Sequence, residues 1–597
     1  MNSKKYLFFT LIFLSVIFAK AQTGTIVTGD GSGENMYGSA SNNTVFGDSA
    51  LVNSTSADNL TVLGYHAGYS NTASENTFLG YKSGYTNTTG TDNLFVGYES
   101  GYSSTGTDNT FIGYRVGKYN TSGYDNTSIG YNAGYNQSEG HDNICMGFSA
   151  GRYVTGDKNL FIGHEVGYGA TSGSTGEGNT AIGCKHLQGD YHGYYPLAYL
   201  KTGSYNTILG SGSGYSLKEG NNNTFLGHFA GERMSNSSQN TFIGFCAGNY
   251  TGISTAYEDN DNVAVGSHAD DYSYNKDNSV CVGYYSDYNG NANNIVSIGG
   301  FASSDKESIA MGYYAYMAGK YGLAIGYDAT SYSDGGIGLG YKHYIGSYTY
   351  AIGIGNEINI ANNYTVGIGA NVDIDNTNAI AIGHKAVATG DYSIAFGANT
   401  SVTGDNSIAL GNGVSVSTDN TITIGNDQVT SIRGTVNWTT LSDGRYKTDV
   451  KEDVAGLDFI NQLRPVSYEL NSQPGIRYSG FIAQEVEAAA ERVGYDFSGV
   501  KKPQNSEDFY GLRYAEFVVP LTKAVQELEV DYQKNETVIQ ENAKKLNEYE
   551  ERIAQLKAKV ELLKEQSNHK TTIFADMGSK NLDVQPLSNP EHTLTRN

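Results

Sequence analysis

Gly390-Asp391-Tyr392-Ser393-Ile394-Ala395-Phe396-Gly397 returns one unit later as Gly404-Asp405-Asn406-Ser407-Ile408-Ala409-Leu410-Gly411. In each copy a short run of strand-formers sits between Gly, Asp, Asn and Ser, the sign of a strand closed at both ends by turns. Successive side chains of such a run point to opposite faces. One unit cannot bury its apolar face alone, whereas stacked copies can. Glycines carry the register outward from this stretch. Gly312, Gly326 and Gly340 are 14 apart, Gly355 follows after 15, and Gly369, Gly383, Gly397, Gly411 and Gly425 keep steps of 14. Upstream, Gly47, Gly64, Gly80, Gly97, Gly113, Gly130, Gly147 and Gly163 are spaced by 16 or 17, and longer intervals before Gly183, Gly210 and Gly266 predict loop insertions.

The pattern predicts a mainly β chain built as a parallel β-solenoid. At ~4.8 Å per turn, roughly 24 turns would make a rod on the order of 110 Å. Glycine supplies the positive φ of tight corners, and asparagine tolerates that region and stacks in ladders. Between residues 22 and 464 the sole proline is Pro196, inside an insertion; a proline elsewhere would remove a ladder hydrogen bond. Paired tyrosines recur at matching places, as in Tyr65 and Tyr69, Tyr81 and Tyr85, Tyr98 and Tyr102, Tyr131 and Tyr135. Stacking would align them into columns. Such columns cover corners and subunit seams, or offer a platform to a surface glycan or protein ligand.

Composition narrows the class. The 597 residues include 76 Gly and 48 Tyr but 7 Pro and 1 Trp, without the three-residue period of collagen. A net charge of −23 argues against a nucleic-acid partner, which needs a basic face. Lys4 and Lys5, the apolar run Tyr6 to Phe18 and Ala19-Lys20-Ala21 predict a secretory signal over 1–21, with Gln22 opening the mature chain. No later stretch is apolar enough to predict a membrane span, so the expected localisation is secreted or cell surface. Cys145, Cys184, Cys246 and Cys281 fit no metal-ligand spacing and read as small buried or tolerated side chains. Neither a metal nor a cofactor is expected, and the glycine-rich calcium nonapeptide is not present.

The 14-residue units quoted above resemble the head repeats of trimeric autotransporter adhesins, closely over about 300–430 and more loosely over 40–300. The resemblance implies a left-handed β-roll, packed as a homotrimer. No segment resembles that family's C-terminal membrane β-barrel, so its mode of anchoring is not carried over.

Near residue 435 the glycine-rich units stop. Trp438 and Leu441-Ser442-Asp443-Gly444-Arg445-Tyr446-Lys447 follow, then a short helix over Gly456 to Leu463, a strand over Pro465 to Leu470, and a strand from Gly480 leading into a helix from Gln484 to Arg492. A second helix is predicted from near Tyr514 to about Gln566. Val525, Leu528, Tyr532, Asn535, Ile539, Asn542, Leu546, Tyr549, Ile553, Leu556, Val560 and Leu563 alternate in steps of three and four, the seam of a parallel coiled coil. The seam itself leaves dimer and trimer open. The expected organisation is a signal over 1–21, solenoid over 22–435, a small α+β domain over 436–515, coiled coil over 516–568 and a polar tail over 569–597.

The stretch Ser442-Asp443-x-Arg445-x-Lys447, the stretch Gly480-Phe481-Ile482-Ala483-Gln484-Glu485-Val486, and Tyr514 followed by Ala524-Val525-Gln526-Glu527-Leu528 resemble the intramolecular chaperone domains of phage endosialidase tailspikes. Such domains trimerise, assist folding of the upstream β-structure and cut themselves off. Carried over, Ser442 is the nucleophile, Lys447 the base, and the cut bond Leu441–Ser442.

Local chemistry is compatible with that assignment. All 11 histidines and all four cysteines lie outside 385–568, so neither a Ser-His-Asp triad nor a Cys-His pair can be built from this domain. A lysine serves as base when burial or a nearby positive charge favours its neutral form. Arg445 is a candidate neighbour of that kind, and Asp443 either orients the loop or stabilises the lysinium. The competing readings are an uncleaved trimerisation cap on a spacer fibre, and a glycan-binding or glycan-hydrolysing fibre. The acidic residues of the repeats form no pair that stands out for hydrolysis.

Overall fold

The computed structural model describes residues 24–574, apart from 37–38, 170–172, 185–195, 250–258, 273–275, 289, 291 and 506–507, with backbone alone over 568–574. The expected signal segment, and all but the first residues of the expected tail, lie outside the described residues. The chain divides into two compact units, with the division between Val429 and Thr430.

The first unit is a parallel β-solenoid. Ile26–Thr28 pairs with Thr44–Phe46, that strand with Thr61–Leu63, and so on in unbroken register to Ile422–Ile424, giving a 25-stranded sheet. The strands are short because each turn has few residues before its next corner. In most of the three-residue strands the middle side chain is buried while its neighbours face outward, as in Thr77–Leu79. Where the units have 16 or 17 residues, this inward position often holds phenylalanine. Phe78, Phe95 and Phe111 stack at 5.3 and 5.0 Å with no exposed surface, each contributing about 1.5–3 kcal/mol by burial.

The 14-residue units are built differently. Their inward residue is Ala or Gly, as at Ala381, Ala395 and Ala409. A second, nine-stranded parallel sheet of two-residue strands runs from Ser303–Ser304 to Ser415–Val416. Val402 and Val416 from these strands fill the space opposite the small residues. The longer units return through turns instead. Strands either side of the predicted insertions pair directly, Thr180 with Thr207 and Thr241 with Val263.

Two columns hold the turns in register. The strand-ending glycines have φ from 128° to 145° over most of the stack, and a Cβ at Gly97 would lie 2.1 Å from the carbonyl oxygen of Gly113 in the next turn. Close approach of backbone to backbone therefore demands glycine there. The second column is a buried asparagine ladder. Asn126 Nδ2 donates to Asn109 Oδ1 at 3.1 Å and to the Gly140 carbonyl at 2.8 Å, while Asn126 Oδ1 accepts the Asn143 backbone N–H at 3.0 Å. The same bonds recur from Asn76 to Asn240.

In the second unit, α1 (Leu457–Ile460) precedes an antiparallel hairpin, Val466–Leu470 with Gln473–Gly480. Next come α2 (Ala483–Arg492), a short ladder of Val500–Lys501 with Gly511–Leu512, a 3₁₀ turn at Tyr514–Phe517 and α3 (Val518–Phe574). The core gathers Phe459, Val486, Ala489, Ala490, Phe497 and Phe517. Arg464 and Glu485 pair at 2.5 Å, which holds the carboxyl of Glu485 below its ordinary range. The helix expected from near Tyr514 thus begins with a 3₁₀ turn and extends past Gln566. Along α3 the apolar seam from Val525 to Leu563 stands about half exposed. Among the described residues, no helix is long and apolar enough to cross a membrane.

Candidate active site

The segment around Ser442 owes its shape to one residue's side chain. Asp443 has extended backbone and caps the 3₁₀ turn Gly444–Tyr446, its carboxylate accepting the Arg445 backbone N–H at 2.9 Å. Asx-type bonding of this kind competes well with regular structure in short turns. The Tyr446 and Lys447 backbone N–H groups close the turn on the Asp443 and Gly444 carbonyls at 3.0 and 3.1 Å. One tight turn reverses the chain, and the side chain of Lys447 comes back over residue 442. Lys447 Nζ then donates to Ser442 Oγ at 2.8 Å.

The structure therefore brings Ser442 and Lys447 into direct contact. Arg445 and Asp443 face each other instead of the lysine. The guanidinium forks onto the carboxylate, with Nε to Oδ1 at 3.0 Å and Nη2 to Oδ2 at 2.6 Å. Those bonds hold the Asp443 carboxyl below its ordinary range and raise the Arg445 guanidinium.

Leu441, the residue before the expected cut, is 71% exposed, and Trp438 and Tyr446 are 85% and 76% exposed. A run of large apolar side chains around a Ser–Lys contact is thus uncovered in the single chain.

The other stretches quoted from the C-terminal region meet in space. Tyr514 Oη accepts the Phe481 backbone N–H at 3.1 Å, and a Cβ at Gly480 would lie 2.2 Å from that oxygen. Phe481 stacks on Phe517 at 5.3 Å. Glu527 Oε2 accepts the Leu457 backbone N–H at 2.7 Å. Sequence reading passed over this last contact; Gly456, whose Cβ would lie 2.3 Å from the same oxygen, is the trace it leaves in the sequence.

The repeats present a second candidate surface. Tyr65, Tyr81, Tyr98, Tyr114, Tyr131, Phe148 and His164 form one stacked column with ring centres 4.8–5.7 Å apart. Tyr69, Tyr85 and Tyr102 form another, at 5.1 and 4.9 Å. Glu99 binds Arg115 and Lys118 beside them, at 2.9 and 2.6 Å, and both cations lie over tyrosine rings.

Two segments of the chain match known families. Residues 442–495 match the family described as chaperone of endosialidase, starting at Ser442 itself. Residues 375–400, 388–413 and 403–427 match the YadA head domain repeat, each match spanning two copies. No curated protein matches the chain. The chain thus joins head repeats of the trimeric autotransporter adhesin type to a chaperone domain of the endosialidase type.

Proposed function

We propose that this chain, with adhesin-type head repeats upstream of an endosialidase-type chaperone domain, is the subunit of a secreted or surface-displayed homotrimeric fibre that matures by cutting itself between Leu441 and Ser442. The observation that carries the reading is the 2.8 Å contact of Lys447 Nζ with Ser442 Oγ, at the first residue of the matched chaperone segment.

Neutral Lys447 takes the proton of Ser442 Oγ as that oxygen adds to the Leu441 carbonyl carbon. The C–N bond breaks, and Lys447 returns the proton to the departing amine of residue 442. Water then hydrolyses the ester, leaving a carboxylate on Leu441 and regenerating the hydroxyl. Asp443 and Arg445 hold the turn that aims the lysine.

Three copies of α3 packed along the seam from Val525 to Leu563, a parallel coiled coil over 516–568, would bury the exposed stripe and align the chains. Solenoids pair non-locally and are open to register error. Joining their ends first raises the effective concentration of correct pairing, and removal of the joining device then makes assembly hard to reverse.

Intact-mass analysis of wild type, Ser442→Ala and Lys447→Ala tests this. Fragments 22–441 and 442–597 are expected in wild type alone. A full-length wild-type chain would eliminate the cleavage while leaving the fibre. Light scattering before cleavage checks for three chains.

A second reading concerns ligand. The tyrosine columns, with Tyr65 and Tyr98 48% and 39% exposed, support glycan binding by the head. A glycan array with wild type and Tyr98→Ala tests it: retention lost in the variant supports a binding column, release of sugar indicates hydrolysis, and no retention leaves a spacer.

A further inference from the structure

Two inward positions of the solenoid carry glycine through successive long units. One is the corner whose backbone N–H donates to the following turn, as Gly84 to Ser100 and Gly248 to Ala269. Gly84, Gly101, Gly117, Gly231 and Gly248 all have φ of 56–59° there, and a Cβ at Gly248 would lie 2.4 Å from the Phe242 ring. The other is the residue whose carbonyl accepts from the asparagine ladder, as at Gly90, Gly106, Gly123 and Gly140.

Around the strand Val280–Val282 both positions change together. Asp270 and Asp287, with φ of 55° and 50°, stand at the corner position, donating to Ser286 and Ala302. Lys276 stands at the ladder position, its carbonyl accepting from Asn262 Nδ2 at 2.6 Å. The inward strand residues are Ala264 and Cys281 in place of phenylalanine. Removing the ring opens the room that the three ionic side chains fill.

The cluster is buried among the described residues. Lys276 and Asp287 are 1% and 0% exposed, Asp270 5% and Cys281 0%. Lys276 Nζ donates to Asp270 Oδ1 at 2.7 Å and to Cys281 Sγ at 3.2 Å, and touches Asp287 Oδ2. Burial opposes the charge on Lys276, but Asp270, Cys281 and Asp287 outweigh it and keep the ammonium well above the ordinary lysine value. Burial likewise holds the Cys281 thiol protonated. Asp287 Oδ1 is held from the other side by the Ser304 backbone N–H at 3.0 Å and the Ser303 hydroxyl at 3.1 Å.

We propose that Lys276 and Asp287 join covalently through an amide between Nζ and Cγ, formed once after folding, with Asp270 as the proton carrier. The two oxygens of Asp287 are already distinguished. Oδ1 faces two fixed donors, the arrangement that stabilises an oxyanion, while Oδ2 faces the nitrogen. Proton transfer from the ammonium to Asp270 frees the lysine lone pair, an uphill step because the neighbouring carboxylates favour the ammonium. Nζ adds to Cγ, and negative charge collects on Oδ1. Asp270 relays two protons from nitrogen to Oδ2, which departs as water when the Cγ–Oδ2 bond breaks. The lysine's third proton remains on the amide nitrogen. Lysinium plus carboxylate become amide plus water, so neither an oxidant nor a second substrate is required. Cys281 Sγ, accepting one N–H, positions the nitrogen. The product is a rung across the interior of a single turn, joining residues on either side of its strand.

Peptide mapping by tandem mass spectrometry on the full chain tests this directly. Wild type is expected to be lighter than its sequence by one water, with a branched peptide joining Lys276 to Asp287 and no tryptic cut after Lys276. Asp287→Ala, Lys276→Arg and Asp270→Asn are each expected to restore the full mass. Separate unmodified Lys276 and Asp287 peptides in wild type would overturn the proposal, without need of any variant that must fold. Water still lost from Lys276→Arg, or a branch found at Asp270, would overturn the assigned chemistry.

Discussion

The carboxylate of Glu527, on the long helix α3, accepts the backbone N–H of Leu457, the first residue of α1, at 2.7 Å. A helix start leaves its first N–H groups unsatisfied, and here the partner is 70 residues away in sequence. Folding of the α+β part and of the first turns of α3 are thereby one event. Removing the carboxylate by Glu527→Ala should cost about 1.5–3 kcal/mol, the range for a charged hydrogen-bond partner. Gly456→Ala should do the same by displacing that oxygen. Denaturant unfolding of a 442–597 fragment checks both; an unchanged midpoint in Gly456→Ala would refute the coupling.

The turn that aims Lys447 rests on Asp443 and Arg445, not on glycine. No atom lies within 4 Å of a Cβ built at Gly444, so Gly444→Ala should cleave at the wild-type rate. Asp443→Ala removes the cap and the fork together and should slow cleavage at least tenfold, whereas Arg445→Lys, which cannot fork, should fall between. Time courses of fragment appearance rank the three. The order reversed, with glycine critical and aspartate dispensable, would mean that the turn is held by other means.

Asn126→Ala strips a buried rung. It strands the Asn143 N–H and the Gly140 carbonyl inside the stack, at about 1–3 kcal/mol for each unsatisfied group. Because each turn contacts its neighbours alone, the effect should be local. Hydrogen exchange should quicken in the turns on either side of residue 126 and stay unchanged near residue 400.

His343 carries a pH dependence whose direction can be worked out. Its ring fills space beside Gly340 and Gly353 and is 2% exposed, and burial lowers its pKa from 6.5. The unfolded chain therefore takes up the proton first as pH falls. Stability from this site is whole above 6.5 and is lost as pH drops below it toward the lowered folded value. Melting of wild type against His343→Gln on either side of 6.5 should show the difference shrinking as pH falls.

The glycine column was legible because its spacing repeats so often. The second sheet was not: a pair such as Ser401–Val402 is too short to carry a period. The change from phenylalanine to alanine inside was visible letter by letter, yet its meaning, a narrower turn with strands on two sides, needs the stacked neighbour. Ser442 and Lys447 could be named only through the resemblance of the whole C-terminal motif set, since a serine and a lysine five residues apart are common in loops. That Asp443 would spend its charge on Arg445 was not readable, because both partners were equally available to the lysine. Asp270, Lys276 and Asp287 escaped notice since charged residues in a polar repeat look like surface until their turn is closed.

Junctions between the last short units repeat the same chemistry: a glycine carbonyl, an inward alanine, and an outward aspartate whose carboxylate accepts the backbone N–H of the preceding turn, as Asp405 from Asp391 and Asp419 from Asp405. A duplication or loss of one such unit in the coding sequence would leave all remaining junctions intact. Slippage during replication can then lengthen or shorten the shaft in increments of ~4.8 Å, so reach is a heritable quantity adjustable without redesign of any contact.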